Sequence, residues 1–434
     1  MKTFFLKVLV FVLKTESRLV LWRYRPRVIA ITGSVGKTST KDAVYAVLSS
    51  LTYVRRSEKS FNSEIGLPLT VLGIPNAWNN PLRWLENILR GAWLFLWPHQ
   101  YPQWLVLEVG VGKPGDMTRT ALWLKTDAVI ITAIGETPVH IEFFESRKHL
   151  IEEKSALIQT LKPDGLLILN ADDETVLQMK DKTKCRNLSF GFAVGADVRG
   201  SAEAIAYSEK NEPEGAIFRV DAEGKSLPVA IDGAFGRNHI YATLAALALA
   251  SGLKQNLLSA AESLRHYEVP PGRMRLLKGI KNSLLIDDTY NSSPYACEAA
   301  LRTLGGIKCR VEGCRKIAVL GEMLELGKHT VEAHKQIGKI ARENSDILIV
   351  VGPRAKNIKE GALEMGMNSQ NLYEFLDSRA AGGFLVTYIQ PNDIVLFKGS
   401  QGMRIERTVA MIMLEKDKKE KLLVRQDAEW LRKE

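Results

Sequence analysis

The sequence predicts an α/β protein of two units, a larger one built on a mostly parallel sheet and a smaller α/β unit after it. Three observations carry this. Short buried-strand patterns alternate with helical ones along most of the chain, an order that produces parallel sheets. The break Val269-Pro270-Pro271-Gly272 interrupts that alternation, which then restarts. The length, 434 residues, suffices for two or three domains that each bury a core. The expected division is an N-terminal helix over 1–27, the larger unit over 28–268 and the smaller over 269–434.

The first element reads as a helix. Thr3, Lys7, Lys14, Arg18 and Arg25 are spaced by four and seven residues and share one stripe, while Phe4, Phe5, Leu9, Val12, Leu13 and Leu19 cover the rest. Lys7 interrupts the apolar run and no small-x-small cleavage site follows, so a secretory signal is not expected. The run is also too short to span a bilayer. Two dockings stay open for such a helix: on protein, or, through residues 1–25, on an anionic membrane surface. Arg25-Pro26 ends it, because proline disfavours a helical residue before it.

Val28 to Ile31 then reads as a buried strand, Thr32 to Lys37 as a glycine loop and Thr38 to Leu51 as a helix. Further strands are expected at Trp104 to Glu108, Ala128 to Thr132, Gly165 to Leu169, Leu284 to Asp287, Ile317 to Leu320, Ile347 to Val351 and Asp393 to Phe397. Helical patterns include Ile240 to Ala250 and Val331 to Glu343. Trp84, Trp93, Trp97 and Trp104 crowd one region and read as core packing or a partner surface. The charge-dense stretch Glu415 to Lys421 reads as a solvated helix face.

Composition narrows the function. Hydrophobic residues at 46% and charged residues at 25% fit a soluble cytoplasmic protein and exclude a disordered or polytopic chain. A net charge of +10 suits anionic ligands, and no nucleic-acid module accompanies it, so no nucleic acid is expected. Cys185, Cys297, Cys309 and Cys314 are expected as reduced thiols, and no second Cys/His pair lies at zinc-finger spacing.

The strand, loop and helix order around Ile31 to Val44 is the context of a phosphate-binding loop. The full Walker pattern needs glycine where Ile31 stands, so the loop is the shorter Gly33-x-x-Gly36-Lys37-Thr38. Its chemistry is complete. Gly33 and Gly36 let backbone N–H groups converge on phosphate oxygens, Lys37 places charge on the terminal phosphates, and the Thr38 hydroxyl can hold Mg²⁺ at the helix start.

The nine residues Thr32-Gly33-Ser34-Val35-Gly36-Lys37-Thr38-Ser39-Thr40 resemble the short loop of the Mur ligase family. Other blocks follow in that family's order and resemble its MurF-type branch: Asn62 to Thr70, Leu107 to Gly110, Ile134 to Glu142, Glu153 to Ala156, Gly272 to Met274, Asp287 to Pro294, Leu320 to Gly327 and Lys398 to Arg404. The resemblance covers about residues 28 to 410. It implies a P-loop central ATPase domain, a Rossmann-like C-terminal domain, and an ATP-dependent amide ligase of peptidoglycan precursor synthesis. In that reaction a muramoyl-tripeptide carboxylate attacks the γ-phosphate, and D-alanyl-D-alanine displaces phosphate from the acyl phosphate.

The resemblance also assigns residues. ATP falls to Gly33, Ser34, Gly36, Lys37, Thr38, Ser39, Asn238, Arg273, Asp288 and Asn291, and Mg²⁺ to Thr38, Glu108 and His140. Lys37, His140 and Lys154 are the implied catalytic residues, Lys154 matching a lysine that the family carbamylates. Departures are specific. About thirty residues precede the loop where the family carries a UDP-binding domain, Ala133 replaces an asparagine, and Asn238-His239 reverses the usual order. The first departure suggests a membrane-attached acceptor met at the inner face of the plasma membrane, or UDP held in another way. Two other readings stay open: an amide ligase with a different acceptor, and a catalytically silent ATP-binding regulator at the membrane.

Overall fold

The computed structural model describes residues 2–58, 61–135, 143–309 and 311–432. Among these residues nine strands form the first sheet: β1 (Arg27–Thr32), β2 (Val54–Arg56), β3 (Trp104–Glu108), β4 (Thr126–Ile131), β5 (Leu161–Asn170), β6 (Arg186–Gly191), β7 (Val198–Tyr207), β8 (Pro213–Ala222) and β9 (Lys225–Asp232). Their order is β2-β3-β1-β4-β5-β6-β7-β8-β9. Pairing is parallel from β2 through β7 and antiparallel across β7, β8 and β9. Six more form the second sheet: β10 (Arg275–Lys278), β11 (Leu284–Asp288), β12 (Lys316–Gly321), β13 (Ile347–Val351), β14 (Leu372–Phe375) and β15 (Ile394–Lys398). Their order is β10-β11-β15-β12-β13-β14, and only the β10–β11 pair is antiparallel.

The α/β expectation holds, and the expected strands lie where their continuous apolar runs put them. Such runs are buried on both faces, as parallel strands between helix layers must be. In the first sheet Ile29 and Ile31 face one core with the helix Arg237–Gly252, while Val28 and Ala30 face the other. The meander β7–β9 was not anticipated. Strand β8 alternates buried and more exposed residues over Ala216–Ala222, and positive-φ turns at Asn211 and at Glu223-Gly224 join the three strands.

Helix α1 (Lys2–Tyr24) docks on protein. Leu9, Leu13 and Val20 are buried in the second core, and α1 packs against α3 (Gly66–Leu72) and α4 (Pro81–Leu96), which follow α2 (Lys37–Ser49). The Asn80 side chain caps α4 by accepting from the backbone N–H groups of Leu82 and Arg83, with Pro81 at the first helical position. Among the described residues no helix is long and apolar enough to cross a membrane.

One expectation is corrected. Cys309 and Cys314 are joined by a disulfide, not held as reduced thiols, because the turn between them brings their Cα atoms to 5.8 Å. Cys185 and Cys297 are free.

Candidate active site

Strand β1 lies between β3 and β4, so its C-terminal end delivers the glycine loop to the middle of the parallel sheet. Gly33 has φ +145°, and a Cβ there would stand 2.0 Å from Thr132 Oγ1. Gly36 has φ +87°. Only glycine suits either position. The loop is closed from behind by the end of β4: Ser34 N–H donates to Ala133 O at 2.7 Å, and the Thr132 hydroxyl donates to Val35 O at 2.6 Å. The N-terminus of α2 then points its free N–H groups and positive dipole end at the loop.

Three charged side chains meet here. Lys37 Nζ donates to Gly33 O at 2.9 Å and Ser34 O at 3.3 Å. Burial holds its pKa below the ordinary lysine value, Glu108 opposes that fall and Arg273 adds to it. Glu108, buried at the end of β3, is held by two neutral donors: the Thr38 hydroxyl reaches Oε2 at 2.9 Å and Asn62 Nδ2 reaches Oε1 at 3.1 Å. Past α5 (Asp116–Ala121), helix α6 (Arg147–Ser155) carries Lys154, whose buried Nζ donates to Gly33 O at 3.1 Å. Burial, and then the charge of Lys37, push its pKa down to about 7 against the pull of Glu153.

The second sheet supplies the opposite wall. Asp288 and Lys398 are register partners at the ends of β11 and β15, and Lys398 Nζ donates to Asp288 Oδ2 at 2.5 Å and to Asn291 O at 3.0 Å. Met274 N–H donates to the other Asp288 oxygen at 3.2 Å. Just before β10, the Arg273 guanidinium lies 3.9 Å over the Tyr290 ring and reaches Thr38 Oγ1 at 3.4 Å, bridging the two sheets. His239 Nε2 donates to Arg273 O at 2.6 Å, and its Nδ1 accepts from Tyr267 OH at 2.8 Å. Burial brings the His239 pKa down to about 4, so the ring is neutral. The walls enclose a cleft of about 920 Å³.

A phosphate loop facing a second α/β unit, with a buried carboxylate and a buried lysine between them, matches known proteins along nearly the whole chain. Residues 31–250 match the Mur ligase middle domain, and residues 272–401 match the Mur ligase glutamate ligase domain. The chain belongs to the Mur ligase family. It is similar to the UDP-N-acetylmuramoyl-tripeptide--D-alanyl-D-alanine ligase of Bacillus subtilis (strain 168), 30% identical over 385 residues, covering 88% of this chain and 75% of the relative. The enzyme of that name from Mycobacterium leprae is 28% identical, covering 87% of this chain and 71% of its own. Among solved structures, MurF ligase of Thermotoga maritima in complex with ADP aligns with a TM-score of 0.74 at 25% identity, covering 93% of this chain and 83% of that one. The first MurF structure from Acinetobacter baumannii gives the same score and identity over 92% and 79%. This Mur ligase is of the MurF type, an ATP-dependent amide ligase.

The Mur ligase cleft gathers nearly all the residues the sequence assigned. Ser34, Gly36, Lys37, Thr38, Ser39, Asn238, Arg273, Asp288 and Asn291 line it with Glu108 and Lys154, and Gly33 stands behind Lys37. His140 lies outside the described residues. In the reversed order Asn238-His239 both residues line the cleft, and buried His239 also holds the Arg273 carbonyl. Sequence reasoning did not single out Asn62, Tyr290 and Lys398, although each sits in a quoted block and Lys398 ends a buried strand. It gave no sign of Trp430, which lines the cleft from the tail and accepts through its carbonyl from Arg404 Nη1 at 3.0 Å.

Proposed function

We propose that this MurF-type ligase joins D-alanyl-D-alanine to a muramoyl-tripeptide, converting ATP to ADP and phosphate. The tripeptide carboxylate oxygen takes the γ-phosphoryl group and ADP leaves. The dipeptide amine then attacks the acyl carbon, the C–N bond forms, phosphate departs with the C–O electron pair, and the amine proton passes to solvent. The observation supporting this best is that the phosphate loop, Glu108 and Lys154 share one cleft with Arg273, Asp288 and Lys398.

The residues divide the task by position. N–H groups around Gly33, Ser34 and Gly36, with Ser39, hold phosphate oxygens; Lys37 gives up its loop carbonyls for the terminal phosphate. Asn238, Asp288 and Asn291 hold the nucleotide from the other wall, and Arg273 adds charge across the gap. In this reading residues 28–268 bind ATP and residues 269–434 cover it, which keeps water from the reacting carboxylate.

Thr38 and Glu108 fit Mg²⁺. Their oxygens are adjacent, the buried carboxylate is held by neutral donors, and Mg²⁺ needs few protein ligands beside phosphate and water. Bound there, the ion supplies neutralising charge at the transferring phosphoryl group. His140 as a further ligand rests on the resemblance. A neutral Lys154 amine beside Lys37 suits carbamylation, since a carbamate would face a cation. Residues 1–25 make peripheral contact with the inner face of the plasma membrane, through the exposed Lys7, Phe11, Arg18 and Trp22 of α1.

Phosphate release measured with each substrate omitted tests the reading. Release should require both the muramoyl-tripeptide and D-alanyl-D-alanine, and Lys37→Ala should lower it at least about 100-fold with an unchanged circular dichroism spectrum. Undiminished release with either substrate left out refutes it.

A further inference from the structure

Helix α4 uses only one side of itself for folding. Trp84, Asn87 and Gly91 are buried; Trp84 Nε1 donates to Trp78 O at 2.8 Å and Asn87 Nδ2 to Pro75 O at 2.8 Å. Gly91 admits α1 so closely that a Cβ there would stand 2.2 Å from Glu16 Oε2. The outward side is apolar. Leu82, Leu85, Leu89, Trp93 and Leu96, spaced by three and four residues, form one stripe and are 76, 55, 62, 52 and 60% exposed. Scattered exposed leucines need no explanation, but a contiguous stripe along a helix marks an interaction surface.

The border of the stripe is net basic and its end aromatic. Exposed Arg83, Glu86 and Arg90 run along one side, Glu86 pairing with Arg90 at 2.7 Å, and Trp93 and Trp97 stack at the C-terminal end with ring centroids 4.1 Å apart. The neighbouring α1 exposes Phe11 and Trp22 at 71 and 67%, together with Lys7 and Arg18. Residues 2–25 hold six lysines and arginines against one acid, Glu16, which is buried.

We propose that α4, flanked by the outer face of α1, seats the protein on an anionic phospholipid surface, with the leucine stripe in the acyl boundary and the tryptophans at headgroup level. This deepens the membrane contact read above for residues 1–25 and places the apolar anchor at residues 82–97 instead. Charge decides for lipid over a second copy of the chain. A two-fold pairing of stripes would bring together two faces on which the exposed cations of α1 and α4 outnumber Glu86, whereas lipid phosphates oppose them. Tryptophan at the end of an apolar stripe with an arginine border is the pattern of a helix lying in the interface plane. The anchor also adjoins the cleft: Lys14 of α1 pairs with Glu64 at 2.5 Å, and Glu64 lines the cleft.

Vesicle flotation of the full chain tests the proposal, with phosphatidylcholine alone and with phosphatidylglycerol added. The wild type should float with the mixed vesicles and be released by salt. Leu89→Glu combined with Trp93→Glu should cut the bound fraction at least about tenfold while the melting temperature and ADP binding stay unchanged. Arg83→Glu with Arg90→Glu should remove the preference for anionic vesicles. Wild type left in solution with both vesicles, variants that float like wild type, or a dimer that the Leu89/Trp93 variant splits each overturn it. Phosphate release with soluble substrates is read in parallel. Flotation without ligase activity sinks the proposed reaction alone, and ligase activity without flotation sinks the anchor alone.

Discussion

Replacing Lys154 by arginine separates a positive charge at this position from a nucleophilic amine. The Lys154 pKa stands at about 7 instead of 10.5, with burial the larger cause and the charge of Lys37 the next. A lowered lysine pKa means that the proton leaves as pH rises through about 7, so neutral amine is present above that value and lost below it. At about pH 7.5 roughly three quarters of such a group is neutral, against about one part in a thousand for an ordinary lysine. Only the neutral amine adds CO₂: its lone pair forms the N–C bond, a proton leaves, and a carbamate remains. With ¹³C-labelled bicarbonate the wild type should show a carbamate carbon signal rising with pH through a midpoint near 7. Lys154→Arg should lack that signal and lose kcat with little change in the KM for ATP, since Arg stays protonated and the phosphate loop is intact. A carbamate signal that survives Lys154→Arg, or a midpoint near 10.5, refutes the reasoning.

Two further substitutions test the scaffold around the site. Gly33→Ala drives a Cβ to 2.0 Å from Thr132 Oγ1 at a φ that disfavours any side chain; it should destabilise the protein by about 2–4 kcal/mol in urea unfolding and abolish ADP binding by calorimetry, and wild-type values in both would contradict the loop geometry. Burial pushes the Glu16 carboxyl up to about 7, and its Oε2 has no hydrogen-bond partner among the described residues. The folded state thus keeps a proton that the unfolded chain releases above 4.5, so stability falls as pH rises from 4.5 through about 7. Glu16→Gln should remove that slope, raising the melting temperature at pH 8 more than at pH 5; an equal shift at both would show that Glu16 carries no such burden.

The parallel core was legible because each strand announces itself locally. Trp104–Leu107, closed by Glu108, and Ile347–Val351 are continuous apolar runs in strands buried along their whole length, and their bounds were readable to the residue. The glycine loop was legible for the same reason, since its chemistry lies in six consecutive residues. What escaped depends on partners far along the chain. Lys398 is defined by Asp288, 110 residues away, and His239 by the carbonyl of Arg273, 34 residues away. The crowd of tryptophans resolved only in three dimensions: Trp84 and Trp104 are buried, while Trp93 and Trp97 face outward. The Cys309–Cys314 disulfide was missed because composition says nothing of a turn that brings together two cysteines five positions apart.

Arg273 is held at three points, its carbonyl by His239, its guanidinium by the Tyr290 ring and its end nitrogen by Thr38. One tie between the two units thus lies at the glycine loop itself, beside the bridge of Ala234 to Arg275. Rotation about a pivot moves near atoms least and distant atoms most. A rotation of the second unit about this tie would move Asp288 and Lys398 less against the glycine loop than it moves the distant rim of the cleft.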